Sequence, residues 1–115
     1  MTESCIFCRI LDGSTPARIV YQDEQVIAIQ DIAPQAPHHY LIIPRTHIPT
    51  LLDLGEAPPE LTSAAFAAAR TITSRMGFAD AGFRVVVNCN RDGGQTVRHL
   101  HFHLLGGRQL SWPPG

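Results

Sequence analysis

The stretch HLHFHLL, from His99 to Leu105, carries three histidines at every second position with apolar residues between them. Because successive side chains of a β-strand point to opposite faces, this alternation predicts a half-buried strand with three imidazoles on one face. A helix would scatter the rings by about 200° for each step of two residues. Neutral imidazole is a competent nucleophile toward phosphorus and titrates near physiological pH. The stretch therefore offers imidazoles that could act on a phosphate if the neighbouring residues can hold one.

The segment that leads into this stretch offers groups suited to holding a phosphate. Gly93 and Gly94, in NRDGGQ, predict a turn whose backbone N–H groups can approach phosphate oxygens. Asn88 and Thr96 lie on either side of the turn and are neutral hydrogen-bond donors. Taken alone, each is equally well explained as a polar residue of a strand end or a turn. Together with the histidines, they favour a phosphate site.

Cys5 and Cys8 form a second candidate site, spaced C-x-x-C near the N-terminus. Two thiolates at this spacing can bind zinc if two further ligands are supplied, and His47 and His99 are candidates. The alternatives are two buried thiols or a redox pair. The redox pair is disfavoured because no thioredoxin-like βαβ pattern surrounds the cysteines. The third cysteine, Cys89, is interpreted as a packed residue at a strand end.

For three other polar residues, the sequence indicates a structural role or leaves the role undecided. His38 and His39 follow APQAP and are interpreted as helping a loop enter a strand. Asp31 ends VIAIQD, where it either binds a sugar hydroxyl or caps a turn.

Several strands and one long helix must position these residues. Apart from the histidine stretch, strands are predicted at ARIVYQ, QVIAIQD, HYLIIP and FRVVVN, the first two forming a hairpin. PPELTSAAFAAARTITSRMG predicts a helix, from its initial prolines, its apolar stripe and the glycine after its end. CIFCRILDG is either a short helix or a knuckle. This order predicts an α+β fold with a largely antiparallel sheet.

Length, charge and cysteine content restrict the class of protein. A chain of 115 residues predicts a single domain, residues 1–115. A net charge of −1 argues against nucleic-acid or membrane-surface partners. An odd number of cysteines that includes a C-x-x-C fits a reducing compartment better than a disulfide framework. Because no segment has the features of a secretory signal or a membrane span, we expect a cytoplasmic protein.

Beyond these patterns, the sequence resembles the Hint branch of the histidine-triad (HIT) family, the histidine-triad nucleotide-binding proteins. HLHFHLL matches the family motif, and DIAPQAPHHYLIIPRTH, GFRVVVNCNRDGGQTVRHLHFHLLGGRQLSWPPG and IF…I…G extend the similarity over nearly the whole chain. The terminal GGRQLSWPPG is similar to Hint proteins rather than to diadenosine-polyphosphate hydrolases. The resemblance implies a five-stranded antiparallel sheet with one long and one short helix. It also implies a homodimer in which two protomers form a continuous ten-stranded sheet.

The resemblance implies an activity as well. Family members are nucleotidyl hydrolases or transferases acting on purine nucleoside 5′-phosphoramidates and releasing the nucleoside monophosphate. By this resemblance His101 would attack phosphorus and form a nucleotidyl-histidine intermediate, and His103 would protonate the leaving amine. A carbonyl bonded to one ring nitrogen of His101 would leave the other free to attack. No cofactor is expected for the chemistry itself.

The resemblance assigns the remaining substrate contacts. Asn88, Thr96 and His103 would contact the phosphate, and Gly94 would add a backbone contact. Asp31 would accept the ribose hydroxyls. The base pocket would be lined by Ile6, Phe7, Ile10 and Ile32, and Trp112 would reach toward the active site of the partner protomer.

Family members that keep both N-terminal cysteines hold zinc with two cysteines and two histidines. By this resemblance the ligands would be Cys5, Cys8, His47 and His99. Four protein ligands leave no open position for water, so the zinc would be structural. It would hold the N-terminus beside the catalytic strand.

Three other functions stay open on the sequence. The same fold could cleave dinucleoside polyphosphates or transfer nucleotidyl groups. The chain could instead be a non-catalytic nucleotide-binding regulator, although intact His101 and His103 argue against this. Finally, it could be a zinc-dependent hydrolase with the three histidines as metal ligands.

Overall fold

The computed structural model describes residues 4–115, which form one antiparallel sheet flanked by helices. Its five strands are β1 (Ile19–Gln22), β2 (Val26–Gln30), β3 (His38–Pro44), β4 (Phe83–Val86) and β5 (Phe102–Gly106). Their order in the sheet is β1-β2-β3-β5-β4. The helices are α1 (Ile6–Leu11) and α2 (Pro59–Met76), with a 3₁₀ helix at Leu51–Glu56. The predicted α+β class, with one long and one short helix, is confirmed.

The long helix α2 has the ends that its sequence predicts. Pro59 opens it, Glu60 lies in its first turn and Arg75 in its last, where each charge complements the helix dipole. Gly77 ends it in the left-handed conformation, at φ 83°. Of the predicted apolar stripe, Leu61, Ala65, Ala68 and Ile72 are buried, whereas Met76 in the last turn is 41% exposed. Across residues 4–115, no helix is long and apolar enough to cross a membrane.

The two faces of the sheet pack against different elements. One face packs against α2 with alternate strand residues that include Val26, Ala28, Ile42, Phe102 and Leu104. The opposite face, which we call the α1 face, packs Ile27, Ile29, Leu41 and Ile43 against Cys5 and Phe7. Strand β3 is therefore buried on both sides, as its continuous apolar run predicts.

The N-terminal segment is a short helix, which decides between the two alternatives for CIFCRILDG. Cys5 caps α1, because its Sγ accepts the backbone N–H of Cys8 at 3.3 Å. The 3₁₀ helix after β3 was not predicted. Its sequence signal is the capping box in which Thr50 and Asp53 exchange hydrogen bonds.

The histidine stretch is only partly a strand, so the prediction of a strand over 99–105 is wrong at its start. Strand β5 begins at Phe102, and His99 and His101 precede it. The reason is a competing partner: the N–H of Leu100 bonds to the carbonyl of Ile48 at 2.6 Å, in the loop after β3. The apolar residues between the histidines are buried as predicted. The histidines do not share one open face, since His99 and His101 are buried as well.

Candidate active site and metal cluster

The α1 face collects the candidate reactive residues by strand register. Strand β2 runs antiparallel to β3, and just beyond their ladder the N–H of Asp31 bonds to the carbonyl of His39 at 2.9 Å. On the other side of β3, Leu41 pairs with His103. Residues opposite each other in neighbouring strands share a face, as do residues two apart in one strand. Asp31, His39 and His103 therefore meet on the α1 face.

His101 has one ring nitrogen engaged and one available. Its Nδ1 lies 2.8 Å from the backbone carbonyl of His99. A carbonyl only accepts, so Nδ1 carries the proton and Nε2 keeps its lone pair. Burial lowers the pKa of His101, opposed by its bond to the His99 carbonyl, and the ring is neutral at pH 7. Phe7 of α1 packs edge-on against it, with ring centroids 5.0 Å apart.

His103 lies beside His101 and is bonded to a further histidine. The ring centroids of His101 and His103 are 5.1 Å apart. The Nδ1 of His103 lies 2.9 Å from Nε2 of His39, and that Nε2 is 3.4 Å from Oδ2 of Asp31. Burial, with smaller contributions from His101 and His39, lowers the pKa of His103 to about 4. His103 is therefore a neutral imidazole at pH 7.

A separate cluster gathers Cys5, Cys8, His47 and His99. Nδ1 of His99 lies 3.3 Å from Sγ of Cys5, 3.6 Å from Sγ of Cys8 and 3.1 Å from Nδ1 of His47. Sγ of Cys8 lies 3.2 Å from Nδ1 of His47. Two sulfurs and two nitrogens thus face one another, all within 4.8 Å. The arrangement contains four potential metal ligands directed at one point.

These separations fit a zinc ion. Tetrahedral coordination, with Zn–N of about 2.0 Å and Zn–S of about 2.3 Å, places two nitrogens about 3.3 Å apart and a nitrogen and a sulfur about 3.5 Å apart. The other ring nitrogen of His99, Nε2, donates to the carbonyl of Pro44 at 2.8 Å. A metal-binding histidine commonly makes such an outer bond, which fixes its tautomer. The chemistry of the donor set and its outer bond therefore fit zinc.

Asp31, His39 and His103 also bring potential ligand atoms together, but their protons are arranged differently. The backbone N–H of Gln35 donates to Nδ1 of His39 at 3.0 Å. Nδ1 is therefore an acceptor, and the proton of this neutral ring is on Nε2, the atom that faces His103 and Asp31. A protonated nitrogen cannot bind a metal. This second group is thus arranged for hydrogen bonding.

The other predicted substrate residues differ in their placement. Ile6 and Ile10 are half-buried on α1. Ile6 and Thr96 line one cavity of about 410 Å³, next to His47. Ile32 is fully exposed after β2, and Trp112 is 84% exposed in the C-terminal segment. Within one protomer, neither of these two packs into the site, and their roles stay predictions.

The turn before the histidines is shaped by its glycines. A Cβ at Gly93 would collide with the backbone oxygen of Cys89, so only glycine fits there. Gly94 has φ +79°, and its N–H already donates to the carbonyl of Arg91 at 3.0 Å. Asn88 is half-buried and Thr96 exposed. Within residues 4–115 no hydrogen bond joins either side chain to His101 or His103, and their contact with phosphate stays a prediction.

The interpretation of the two adjacent histidines holds for one of them. His38 stacks on Phe78, with centroids 4.2 Å apart, and bonds to the hydroxyl of Tyr40 at 2.9 Å. It faces away from the α1 face, as a structural residue. For His39 the same interpretation is incomplete, because it misses the contact with His103. Alternation along β3 could have placed His39 on the opposite face, but its partner depends on the β3–β5 register.

The chain is similar to known proteins in both sequence and fold. A model of the HIT domain matches residues 12–110. The chain is 46% identical over 110 residues to the purine nucleoside phosphoramidase of Escherichia coli, covering 96% of this chain and 92% of that relative. A HIT family hydrolase from Legionella pneumophila superposes with a TM-score of 0.93 at 46% identity, over 96% of this chain and 99% of the other. A Zn-bound histidine triad family protein from Mycobacterium smegmatis superposes with a TM-score of 0.81 at 34% identity, over 97% and 83% of the two chains.

Proposed function

This chain belongs to the HIT domain family, and we propose that it hydrolyses the P–N bond of purine nucleoside 5′-phosphoramidates. The similarity to the E. coli phosphoramidase, at 46% identity over 96% of this chain, supports the substrate class. The observation that carries the chemistry is the bond between Nδ1 of His101 and the carbonyl of His99, at 2.8 Å. It leaves Nε2 of a buried, neutral imidazole as the one nucleophilic atom of that ring.

The reaction proceeds in two displacements at phosphorus. In the first, Nε2 of His101 forms a bond to phosphorus while the P–N bond breaks, and the amine nitrogen takes the proton from Nε2 of His103. The first product is a nucleotidyl-histidine on His101, whose ring is now cationic. In the second, water attacks phosphorus and returns a proton to His103, which releases the nucleoside monophosphate and restores His101. A positioned proton donor contributes roughly 10²- to 10⁴-fold to such a rate.

The charges of the two rings support this assignment. In the first step His101 gains positive charge as His103 gives up its proton, so opposite charges develop on adjacent rings. Their centroids are 5.1 Å apart in a buried environment, where the attraction between these charges is strong. A neutral imidazole can serve as proton donor under these conditions, and a pKa of about 4 keeps His103 neutral at working pH.

The proposal includes a structural zinc on Cys5, Cys8, His47 and His99. When bound, the metal would cross-link α1, the loop after β3 and the segment before β5. No step of the reaction passes through it. Its effect on catalysis would be to hold the His99 backbone, whose carbonyl orients His101.

The proposal also includes a homodimer in the cytoplasm. In the described part of the chain, β4 is an edge strand with one long side unpaired, and Phe83 on it is 40% exposed. An apolar edge of this kind is a template for pairing with another strand. Pairing of two β4 edges would give the continuous ten-stranded sheet and would bring a second C-terminal segment, with Trp112, toward the site. Light scattering on the purified protein would measure the assembly.

The test is hydrolysis of adenosine 5′-phosphoramidate by the wild type and by His101→Ala, each with and without a strong chelator. We expect His101→Ala to lower kcat/KM by at least about 10³-fold, because it removes the nucleophile. The chelated wild type should retain turnover while it stays folded. Intact mass after quenching in cold alkaline denaturant, where the P–N bond of a nucleotidyl-histidine survives, should reveal one nucleotidyl group on the wild type and none on the variant. Full activity in the variant, or loss with chelator in a folded protein, would exclude this mechanism.

A further inference from the structure

We propose that His39 is a positioning residue that holds His103 as a neutral imidazole with its proton on Nε2, directed to the departing amine. The inference rests on the proposed phosphoramidase reaction and goes beyond it, because it adds a residue that does not touch the substrate. His39 is 5% exposed and lies in β3, where backbone hydrogen bonds on both sides hold it in place.

The positions of the protons on His39 and His103 follow from one backbone donor, the N–H of Gln35. A backbone N–H can only donate, so the bond from Gln35 makes Nδ1 of His39 an acceptor. The proton of His39 is then on Nε2. Two acceptors lie near that atom: Nδ1 of His103 at 2.9 Å and Oδ2 of Asp31 at 3.4 Å. The shorter distance is within hydrogen-bond range and the longer is beyond it, so the proton is directed at His103.

The tautomer of His103 follows from this bond. If Nδ1 of His103 also carried a proton, two N–H groups would point at each other across 2.9 Å. Nδ1 is therefore the acceptor, and the single proton of His103 is on Nε2. Without His39, the two tautomers of a neutral imidazole would interconvert, and the fraction with a donor at Nε2 would fall.

His39 has a second effect during the reaction. As Nε2 of His103 passes its proton to the amine nitrogen, electron density builds up on the His103 ring. The N–H of His39 donates to the opposite nitrogen of that ring and stabilises the density there. The proton of His39 stays on His39, and water later restores the proton of His103. The contribution is therefore largest for a leaving group that needs a proton.

The test compares two substrates that share the adenosine 5′-phosphoryl group. One carries an alkylamine, which must be protonated as it leaves, and the other carries p-nitrophenol, which leaves as an anion. For His39→Leu, we expect kcat on the alkylamine substrate to fall about 10- to 100-fold, part of the contribution of a proton donor. On the nitrophenyl substrate, kcat should fall by less than about threefold. His39→Gln, whose side-chain amide can donate to His103, should recover most of the loss.

Two controls separate positioning from structure. His38→Leu changes the neighbouring histidine, on the other face of β3, and should leave the ratio between the two substrates at its wild-type value. Nitrogen NMR of labelled histidine reads the tautomers directly, and should find Nε2 of His103 protonated in the wild type and a mixture in His39→Leu. Thermal unfolding and zinc content verify that each variant is folded.

The outcomes distinguish this inference from the proposed function. Equal losses of His39→Leu on both substrates, or an unchanged His103 tautomer, would overturn the positioning role. So would a folded His39→Gln no better than His39→Leu. A wild type inactive on both substrates would instead refute the phosphoramidase reaction itself.

Discussion

Two clusters lie at opposite ends of the segment from His99 to His103. Both are built from histidine, but the ring nitrogens are arranged to accept a cation in one and to donate a proton in the other. At the His99 end, the ring nitrogens of two histidines and two sulfurs converge, with Nδ1 of His99 only 3.1 Å from Nδ1 of His47. At the His103 end, donors and acceptors alternate in a row, from the N–H of Gln35 through His39 to His103. Converging lone pairs suit a cation, whereas an alternating row suits a directed proton.

The difference between the two clusters lies in the backbone around the rings. The carbonyl of Pro44 accepts from Nε2 of His99 and turns the lone pair of Nδ1 toward the cysteines. The N–H of Gln35 donates to His39 and sends the ring proton the other way, toward His103. A carbonyl bonded to one ring nitrogen thus leaves the other nitrogen free to bind a metal. An N–H bonded to one ring nitrogen instead makes the other nitrogen a hydrogen-bond donor.

The largest effect should come from breaking the first cluster. Cys8→Ser removes one of four ligands, and we expect the loss of one zinc per chain. A bound ion whose free concentration is about a thousand times its Kd stabilises the folded state by about 4 kcal/mol. Without the zinc, Tm should therefore fall by roughly 15 °C. The kcat should fall by less than about tenfold, since the carbonyl of His99 still orients His101. Metal analysis, thermal unfolding and turnover measure the three quantities.

The control for this variant is Cys89→Ser, which changes the one cysteine outside the cluster. It should retain the zinc and the activity. If Cys8→Ser abolished turnover while the protein stayed folded, the two clusters would not be separable, and the metal would belong to the chemistry.

Lowering the pH should reduce the free energy of unfolding through His103, and by less than the loss of the metal does. Burial lowers the pKa of His103 from 6.5 to about 4 in the fold. Above pH 6.5 the neutral ring is present in both folded and unfolded states, and stability is complete. As the pH falls toward 4, only the unfolded state gains a proton, so up to about 3 kcal/mol of stability is lost.

Urea unfolding of metal-free protein at pH 7 and pH 4.5 measures this loss without metal release. His103→Gln has no titrating group at this position, and its stability should decrease less over the same interval. Parallel pH dependence in the two proteins would mean that His103 is not held neutral by the fold.

The smallest effect should come from Phe7, which contacts the first cluster at His99 and the neighbouring ring of His101. Its ring packs edge-on to His99, with centroids 5.8 Å apart, and to His101 at 5.0 Å. Phe7→Leu keeps the volume roughly constant, so it should cost about 1 kcal/mol of stability and lower kcat/KM by no more than about fivefold. Zinc content should stay at the wild-type level. Phe66→Leu, on α2, where the ring packs against Phe102 on the opposite side of the sheet, is the matched control and should leave kcat/KM unchanged.

The elements predicted correctly are those in which the spacing of apolar residues within the element determines its type. Helix α2 and strand β3 follow from an apolar stripe and a continuous apolar run, which are local signals. The start of β5 was misplaced because the N–H of Leu100 bonds to Ile48, a partner that no local pattern indicates. The residues alone offered Cys5 and Cys8 as a possible zinc pair with His47 and His99 as candidates, but the complete ligand set came from resemblance, since a single C-x-x-C does not name its other ligands. His39 was missed because its contact with His103 depends on the register of two strands distant in sequence.

The two roles of His99 differ in how they can be inherited. Its ring would bind the proposed zinc and would then require histidine, whereas its carbonyl bonds to His101 and is present in any residue. Under the proposed function, a lineage could therefore lose Cys5, Cys8 or His47 one substitution at a time without removing the carbonyl that orients His101. Stability would decline at each step and catalysis would persist. The proposed zinc cluster would thus be an evolutionarily removable part of a site in which the His101 tautomer is set by the main chain.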